Sequence, residues 1–144
     1  MGTRGSTRWF VLSQQSDATA DDSDKTFTVP AGKVWFVKAI GATLVTTATV
    51  GNRQLDVLLT DDSDNTLIKY AAGAVQAASL TRYYYFAPLH PQDTSFSGAG
   101  IMYRALAGDL ALPAGYKIRI YDSAAIAAAA DDLTVRVMIE ELTE

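Results

Sequence analysis

The chain has no cysteine and a single histidine among its 144 residues. Without cysteine it can form no disulfide bond, no thiolate metal site and no cysteine nucleophile, and its redox compartment stays undetermined. One histidine excludes metal sites built on two or three histidines of the same chain. That residue, His90, stands between Leu89 and Pro91. We expect it to be a loop residue that makes one hydrogen bond, rather than a catalytic base.

Charge is also scarce, since charged residues make up 19% of the chain and the net charge is −4. No basic cluster is present, which argues against nucleic acid as a partner. No segment approaches the ~18 consecutive apolar residues that a membrane span needs, so we expect no membrane partner. A weakly charged surface tolerates contact with other protein chains more readily than a heavily charged one. The composition therefore favours a soluble protein that contacts other proteins.

Catalytic signatures are missing as well. The sequence has no Gly-x-Ser-x-Gly elbow, no Walker loop and no Gly-x-Gly-x-x-Gly run. Two carboxylates can act as a glycosidase pair, but the sequence predicts no cleft in which one of them has a raised pKa. We therefore predict that the protein is not an enzyme. We assign no catalytic, cofactor-binding or metal-binding residue.

Three acidic clusters remain, at residues 21–24, 61–65 and 131–132. Aspartate and asparagine commonly build the turns between strands, because their side chains hydrogen-bond to the nearby backbone. Calcium takes oxygen ligands, and Asp62 and Asp64 can supply two of them. The glycine and the distant glutamate of an EF-hand calcium loop are missing. We predict turns at these clusters, and whether one of them binds calcium stays open.

Proline is rare, and two of the four prolines belong to a phrase that the chain uses twice. The phrase is an apolar residue followed by Pro-Ala-Gly, at residues 29–32 and 112–115. Proline presets the first corner of a tight turn, and glycine accepts the positive φ of the second. Each phrase leads into residues typical of a strand. Two such turns about eighty residues apart, each leading into a strand, indicate an all-β domain with long connections between strands.

Short runs of alternating hydrophobicity, separated by turn signals, predict eight to ten strands. This pattern is typical of a β-sandwich or barrel. We predict two antiparallel sheets, a bulge or bend near Gly41 and one or two helical turns within residues 124–130. The predicted core includes Phe27, Val34, Phe36, Leu55, Val57, Ile118, Ile120, Val135, Val137 and Ile139.

The consecutive tyrosines Tyr83, Tyr84 and Tyr85 allow two interpretations together with Trp9 and Trp35. Strand geometry sends Tyr84 to the opposite face from its two neighbours, so one face packs in the core and the other is free for a partner. Aromatic residues are enriched at protein interfaces, and we assign Tyr84 to a partner interface. The alternative is a stacking platform for sugar rings.

The predicted strands and turns resemble the small jelly-roll structural proteins of tailed bacteriophages, of the capsid cement or decoration type. The resemblance is carried by TFTVPAGKVW at residues 26–35, LALPAG at residues 110–115 and LTVRVMIEE at residues 133–141. It implies a jelly-roll β-sandwich on the outer surface of the virion, without enzymatic activity or cofactor. It also implies a homo-oligomer, often a trimer, whose partner is the major capsid protein and whose binding stabilises capsomer contacts. The alternative is a phage tail, baseplate or receptor-binding protein that contacts carbohydrate through Tyr84 or Trp35.

The N-terminal residues are predicted to form an arm. We divide the chain into an arm or strand at residues 1–13 and a single jelly-roll domain at residues 14–144, in which residues 14–25 form a polar loop. Arg4 and Arg8 would pair with acidic groups of a partner, and Trp9 and Phe10 would anchor the arm. Leaving a large apolar side chain exposed costs roughly 1.5–3 kcal/mol, so a neighbouring subunit is expected to cover Trp9 and Phe10. The alternative is an arm that folds back on its own sandwich.

Overall fold

The computed structural model describes residues 10–124, 126 and 130–144, and ten strands lie within this part of the chain. No helix long and apolar enough to cross a membrane is found among these residues. The strands are β1 (Phe10–Asp21), β2 (Lys25–Thr28), β3 (Lys33–Val45), β4 (Leu55–Thr60), β5 (Thr66–Ala71), β6 (Thr81–Ala87), β7 (Ile101–Ala105), β8 (Ala111–Leu112), β9 (Lys117–Asp122) and β10 (Asp132–Thr143).

The strands form two sheets that enclose one core. The six-stranded sheet has the order β1-β10-β3-β6-β7, with β8 paired to the start of β3, and the four-stranded sheet has the order β2-β9-β4-β5. Within these sheets β1 pairs with β10, β2 with β9, β3 with β6 and β4 with β5. Such nested pairing, distributed over two sheets, is the jelly-roll arrangement. The predicted all-β sandwich is confirmed.

One strand pair departs from the prediction of two antiparallel sheets, which is wrong at this place. Strands β6 and β7 are parallel, with Tyr85 opposite Tyr103. Parallel neighbours need a connection of about a dozen residues or more, because the chain must return to the end where it started. Residues 88–100 supply that connection, and two prolines at its start, Pro88 and Pro91, prevent a tight hairpin after β6.

A bulge in β3 lies three residues before the predicted position at Gly41. Val37 pairs with Ile139 and Ala39 pairs with Met138, so Lys38 has no counterpart on β10. One extra residue in a strand reverses which side chains face the core. The bulge therefore decides the inward residues of the first half of β3.

Two predicted core residues are displaced by this bulge. Trp35 and Val37 are buried, whereas Val34 and Phe36 are half-buried on the other face of the sheet. The indole Nε1 of Trp35 donates a hydrogen bond of 2.8 Å to Glu141 Oε2 at the end of the core. The remaining predicted core residues are buried: Phe27, Leu55, Val57, Ile118, Ile120, Val135, Val137 and Ile139.

The segment predicted as a polar loop at residues 14–25 is largely strand. β1 pairs with β10 from Phe10 to Asp21, with an irregularity after Asp17, so the predicted boundary at residue 13 lies inside a strand. An edge strand takes its stability from backbone hydrogen bonds to one neighbour and tolerates polar side chains. Lys25 fastens the end of β1, because its buried Nζ donates to Thr19 O at 2.9 Å and Asp21 Oδ1 at 2.6 Å.

The two Pro-Ala-Gly turns form as predicted and lie side by side. Gly32 has φ of 73° and Gly115 has φ of 86°, values that glycine adopts without a steric penalty. Val29 N donates to Tyr116 O and Gly115 N donates to Val29 O, both at 2.9 Å. The repeated phrase thus closes one end of the sandwich.

The predicted helical turns at residues 124–130 fall in part on residues 125 and 127–129, which lie outside the described residues.

Candidate protein interface

The outer face of the six-stranded sheet carries exposed apolar and aromatic side chains. These alternate with inward residues such as Tyr84, Phe86 and Val137, and we call this surface the tyrosine face. Its large members are partly or well exposed: Phe10 (52%), Leu12 (60%), Tyr83 (39%), Tyr85 (41%) and Met138 (45%). Single exposed apolar residues are ordinary on soluble proteins, but several on one rigid face indicate an interaction surface.

The centre of the tyrosine face is a row of four residues from neighbouring strands. Strand register places Arg136, Gly41, Tyr85 and Tyr103 side by side on β10, β3, β6 and β7. The rings of Tyr85 and Tyr103 stack, with centroids 5.9 Å apart and planes inclined by 28°. A Cβ at Gly41 would lie 3.7 Å from the Tyr85 ring, an ordinary van der Waals distance, so the ring lies over this residue of β3. The stacked tyrosines thus form the centre of the tyrosine face.

His90 lies at the border of this row. It follows β6 in a loop, as predicted, and its imidazole meets Tyr103 edge-on with centroids 5.1 Å apart. A shallow depression of about 270 Å³ opens beside it, lined among others by Gln14, Gly41 and Met138. Polar groups thus border the aromatic rings, as is usual at protein interfaces.

The outer face of the four-stranded sheet differs in chemistry. Arg119 is paired with Asp24 and stacks over the ring of Tyr121 at 4.5 Å. Lys69 lies 3.2 Å from Asp56. The Arg119–Asp24 pair is partly exposed, and hydrated ion pairs of this kind oppose burial against an apolar partner. The tyrosine face also carries an ion pair, Lys38–Glu140 at 3.5 Å, but it presents exposed aromatic side chains, Tyr83 and Tyr85, and is therefore the better candidate interface.

Of the predicted interface residues in the arm, the structure describes only Phe10. Phe10 lies on the tyrosine face, with its ring 5.6 Å from that of Phe36 in an edge-on contact. Arg4, Arg8 and Trp9 lie outside the described residues. The assignment of the arm to a partner therefore remains a prediction.

The assignment of Tyr84 to the surface is wrong. Its side chain is 1% exposed, and its hydroxyl donates a hydrogen bond of 2.8 Å to Gln76 Oε1. Burial raises the pKa of Tyr84 well above its ordinary value. Phe86 on the same face of β6 indicates the inward side, whereas Arg82, two residues before Tyr84, points to the opposite conclusion. The neighbours Tyr83 and Tyr85 occupy the place that Tyr84 was assigned.

Carbohydrate contact through Tyr84 or Trp35 meets the same obstacle. Trp35 is 2% exposed and its indole N–H is already bonded to Glu141. Both aromatic rings pack in the core, so neither can stack on a sugar in this conformation.

Two of the acidic clusters form turns, as predicted, in which the aspartate side chains accept hydrogen bonds from nearby residues. Asp61 Oδ1 accepts hydrogen bonds of 2.9 Å from the backbone N–H groups of Ser63 and Asn65. Its side-chain bond to Asn65 and these backbone bonds lower the pKa of Asp61. Asp21 accepts from Lys25 and Ser23, and these bonds lower the pKa of Asp21 to about 2.

Asp22 behaves differently from its neighbours in the sequence. Its carboxylate approaches those of Asp122 and Asp131, and one oxygen from each lies within 4.8 Å of the others. Burial, reinforced by the negative charges of Asp122 and Asp131, raises the pKa of Asp22 to about 7. Nothing in the local sequence indicates this group, because Asp22 lies a hundred or more residues before Asp122 and Asp131 and the three share no motif.

No protein-family model matches the chain, and no curated protein matches it. Among solved structures, the chain is similar to a variant VP2 protein of infectious bursal disease virus in T=1 particles, with 13% identity and a TM-score of 0.33. It is also similar to the structure of the Gx strain of that virus (13%, 0.32) and to its VP2 subviral particle (16%, 0.31). Each match covers 92% of this chain but 40–42% of the other, so the chain spans about two fifths of their length. The chain thus shows a weak similarity to part of viral capsid proteins, and no function follows from it.

Proposed function

We propose that this chain is a virion structural protein of the capsid decoration type, which binds the outer surface of an assembled capsid through the tyrosine face. The observation that carries the proposal is the pair of stacked rings, Tyr85 and Tyr103, among the exposed apolar and aromatic side chains of the tyrosine face. The resemblance of the turns and strands to phage decoration proteins supports it. The partners are the major capsid protein and other copies of this chain.

The physical basis is a surface that loses little entropy on binding. Tyrosine buries a large area with few rotatable bonds, and the ring of Tyr85 already stacks on that of Tyr103. Decoration needs modest contacts that the capsid repeats by symmetry, rather than one strong site. The depression of about 350 Å³ beside Tyr85, lined also by Thr43 and Arg136, offers room for a partner side chain.

The edge of the same sheet extends this surface. β1 pairs on one side with β10, and its other side is a sheet edge within the described residues. Unpaired edges are used to add strands from other chains. Phe10 and Leu12 lie on this edge strand, next to the predicted arm, and supply apolar contacts for a neighbouring subunit.

The proposal includes the absence of catalysis. Incubation of the purified protein with capsular and cell-wall polysaccharides is expected to release no reducing ends. Release of reducing ends would make the protein a glycan-active enzyme and contradict the proposed role.

Add-back of purified protein to capsids that lack it tests the proposed interface. Tyr85→Asp places a charge at the centre of the tyrosine face, and Leu67→Asp makes the matched change at an exposed apolar residue of the four-stranded sheet. Loss of a central aromatic contact costs about 2 kcal/mol or more, so we expect Tyr85→Asp to weaken capsid binding roughly thirtyfold. Leu67→Asp should bind within twofold of the original chain. Unchanged binding of Tyr85→Asp, with its fold verified by circular dichroism, would exclude the tyrosine face as the contact surface.

A further inference from the structure

The Asp22, Asp122 and Asp131 carboxylates meet at the end of the sandwich opposite the two Pro-Ala-Gly turns. Asp22 lies in the loop between β1 and β2, Asp122 is the last residue of β9 and Asp131 directly precedes β10. One carboxylate oxygen of each lies within 4.8 Å of the others. Three separate segments thus converge on one point.

Two of these carboxylates have an oxygen that is buried and accepts no hydrogen bond from the described residues. Asp122 is 8% exposed, and its Oδ1 accepts from Gln54 N and Ala124 N, both at 3.0 Å. Its Oδ2 is buried without a donor, and so is Asp22 Oδ1. A buried anionic oxygen without a partner is unfavourable and points to a ligand that would satisfy it.

The nearby cations do not neutralise these two carboxylates. Arg53 is fully buried and directs Nε and Nη2 to Asp131, at 2.7 and 3.1 Å, and Nη1 to backbone carbonyls. Lys25 donates to Asp21, Thr19 and Ser23 on the other side of the loop. When all three carboxylates are ionised, the single guanidinium leaves two negative charges, which is the charge that a divalent cation balances.

We propose that Asp22, Asp122 and Asp131 bind a calcium ion, which fastens the loop between β1 and β2 to the end of β9 and the start of β10. Calcium takes six to eight oxygen ligands in irregular geometry, so three carboxylates are completed by water or backbone carbonyls. Asp131 keeps one acceptor position for the ion, on Oδ2, because a carboxylate has about four such positions and Arg53 and Thr47 N occupy three. The site differs from the Asp62 and Asp64 pair, which belongs to an exposed turn.

Calorimetric titration and thermal unfolding of the full chain, stripped of metal with a chelator, test the site. We expect one calcium ion to bind per chain and, at a hundredfold excess over Kd, a rise in Tm of about 5–10 °C. Asp22→Asn removes one ligand charge without disturbing the Arg53–Asp131 pair, and it should abolish both effects. Asp62→Asn is the matched control at another acidic turn and should keep both.

The Tm of Asp22→Asn without calcium shows whether this variant still folds. In chelator its Tm should equal or exceed that of the original chain, because one repelling charge has been removed from the cluster. The proposal is overturned if the original chain neither binds calcium nor gains stability, or if Asp22→Asn retains the response. If Asp62→Asn alone loses calcium binding and the rise in Tm, the ion binds at the turn of Asp62 and not at the proposed site. If magnesium raises the Tm and calcium does not, the site is not a calcium site.

Discussion

Alanine substitutions at Tyr84 and Tyr85, adjacent residues on β6, separate the core face of the strand from its binding face. Tyr84 is 1% exposed and Tyr85 is 41% exposed. Truncation of a buried aromatic side chain costs about 3–5 kcal/mol, and the loss of its bond leaves Gln76 Oε1 without this donor, at about 1–3 kcal/mol. Tyr85→Ala loses a stacked pair worth about 0.5–1.5 kcal/mol and part of its burial.

We therefore expect Tyr84→Ala to lose about 4–8 kcal/mol of unfolding free energy and Tyr85→Ala about 1–2 kcal/mol. Urea unfolding followed by far-ultraviolet circular dichroism measures both, provided that the m-values agree. Tyr84→Phe is the control that keeps the ring and removes the hydroxyl, and it should lose only about 1–3 kcal/mol. Equal losses at the two positions, or a larger loss at Tyr85, would refute the assignment of the faces.

The buried ion pair and the twin turns yield two further predictions. Arg53→Met leaves Asp131 buried without its guanidinium, and urea unfolding should show a loss of about 3–5 kcal/mol; a loss below 1 kcal/mol would mean that the pair is not buried as described. Gly32→Ala and Gly115→Ala both place a side chain at positive φ, which costs roughly 1–2 kcal/mol. A Cβ at residue 115 would also lie 3.0 Å from Asp62 Cβ, whereas residue 32 has open space, so thermal unfolding should show the larger drop in Tm for Gly115→Ala. The reverse order would contradict the described packing of the second turn.

The fold was predictable where the alternation of apolar and polar residues along a strand agrees with how that strand pairs in the sheet. In β4, β9 and β10 strict alternation identified the inward residues, and at Gly32 and Gly115 the turn chemistry stood in the sequence itself. The bulge at Lys38 could not be predicted in this way, because it depends on which residues of β10 pair with Val37 and Ala39. Local sequence does not contain that register.

The candidate sites were predictable to a smaller extent. The tyrosine run indicated a surface with one inward and one outward side, but Arg82 and Phe86 on the same side gave opposite signals about which side is buried. Asp22 looked like its neighbours in an acidic turn. Its approach to Asp122 and Asp131 follows from the nested pairing of the jelly roll, which brings the start of β2 to the end of β9 and the start of β10.

Cryo-electron microscopy of virions that contain this protein tests its proposed role most directly. We expect density for the jelly roll on the outer capsid surface, in repeated copies, with Tyr85 and Met138 covered by the major capsid protein or by a sister subunit. Density in the tail or baseplate, or a capsid-bound jelly roll whose tyrosine face is open to solvent, would contradict it.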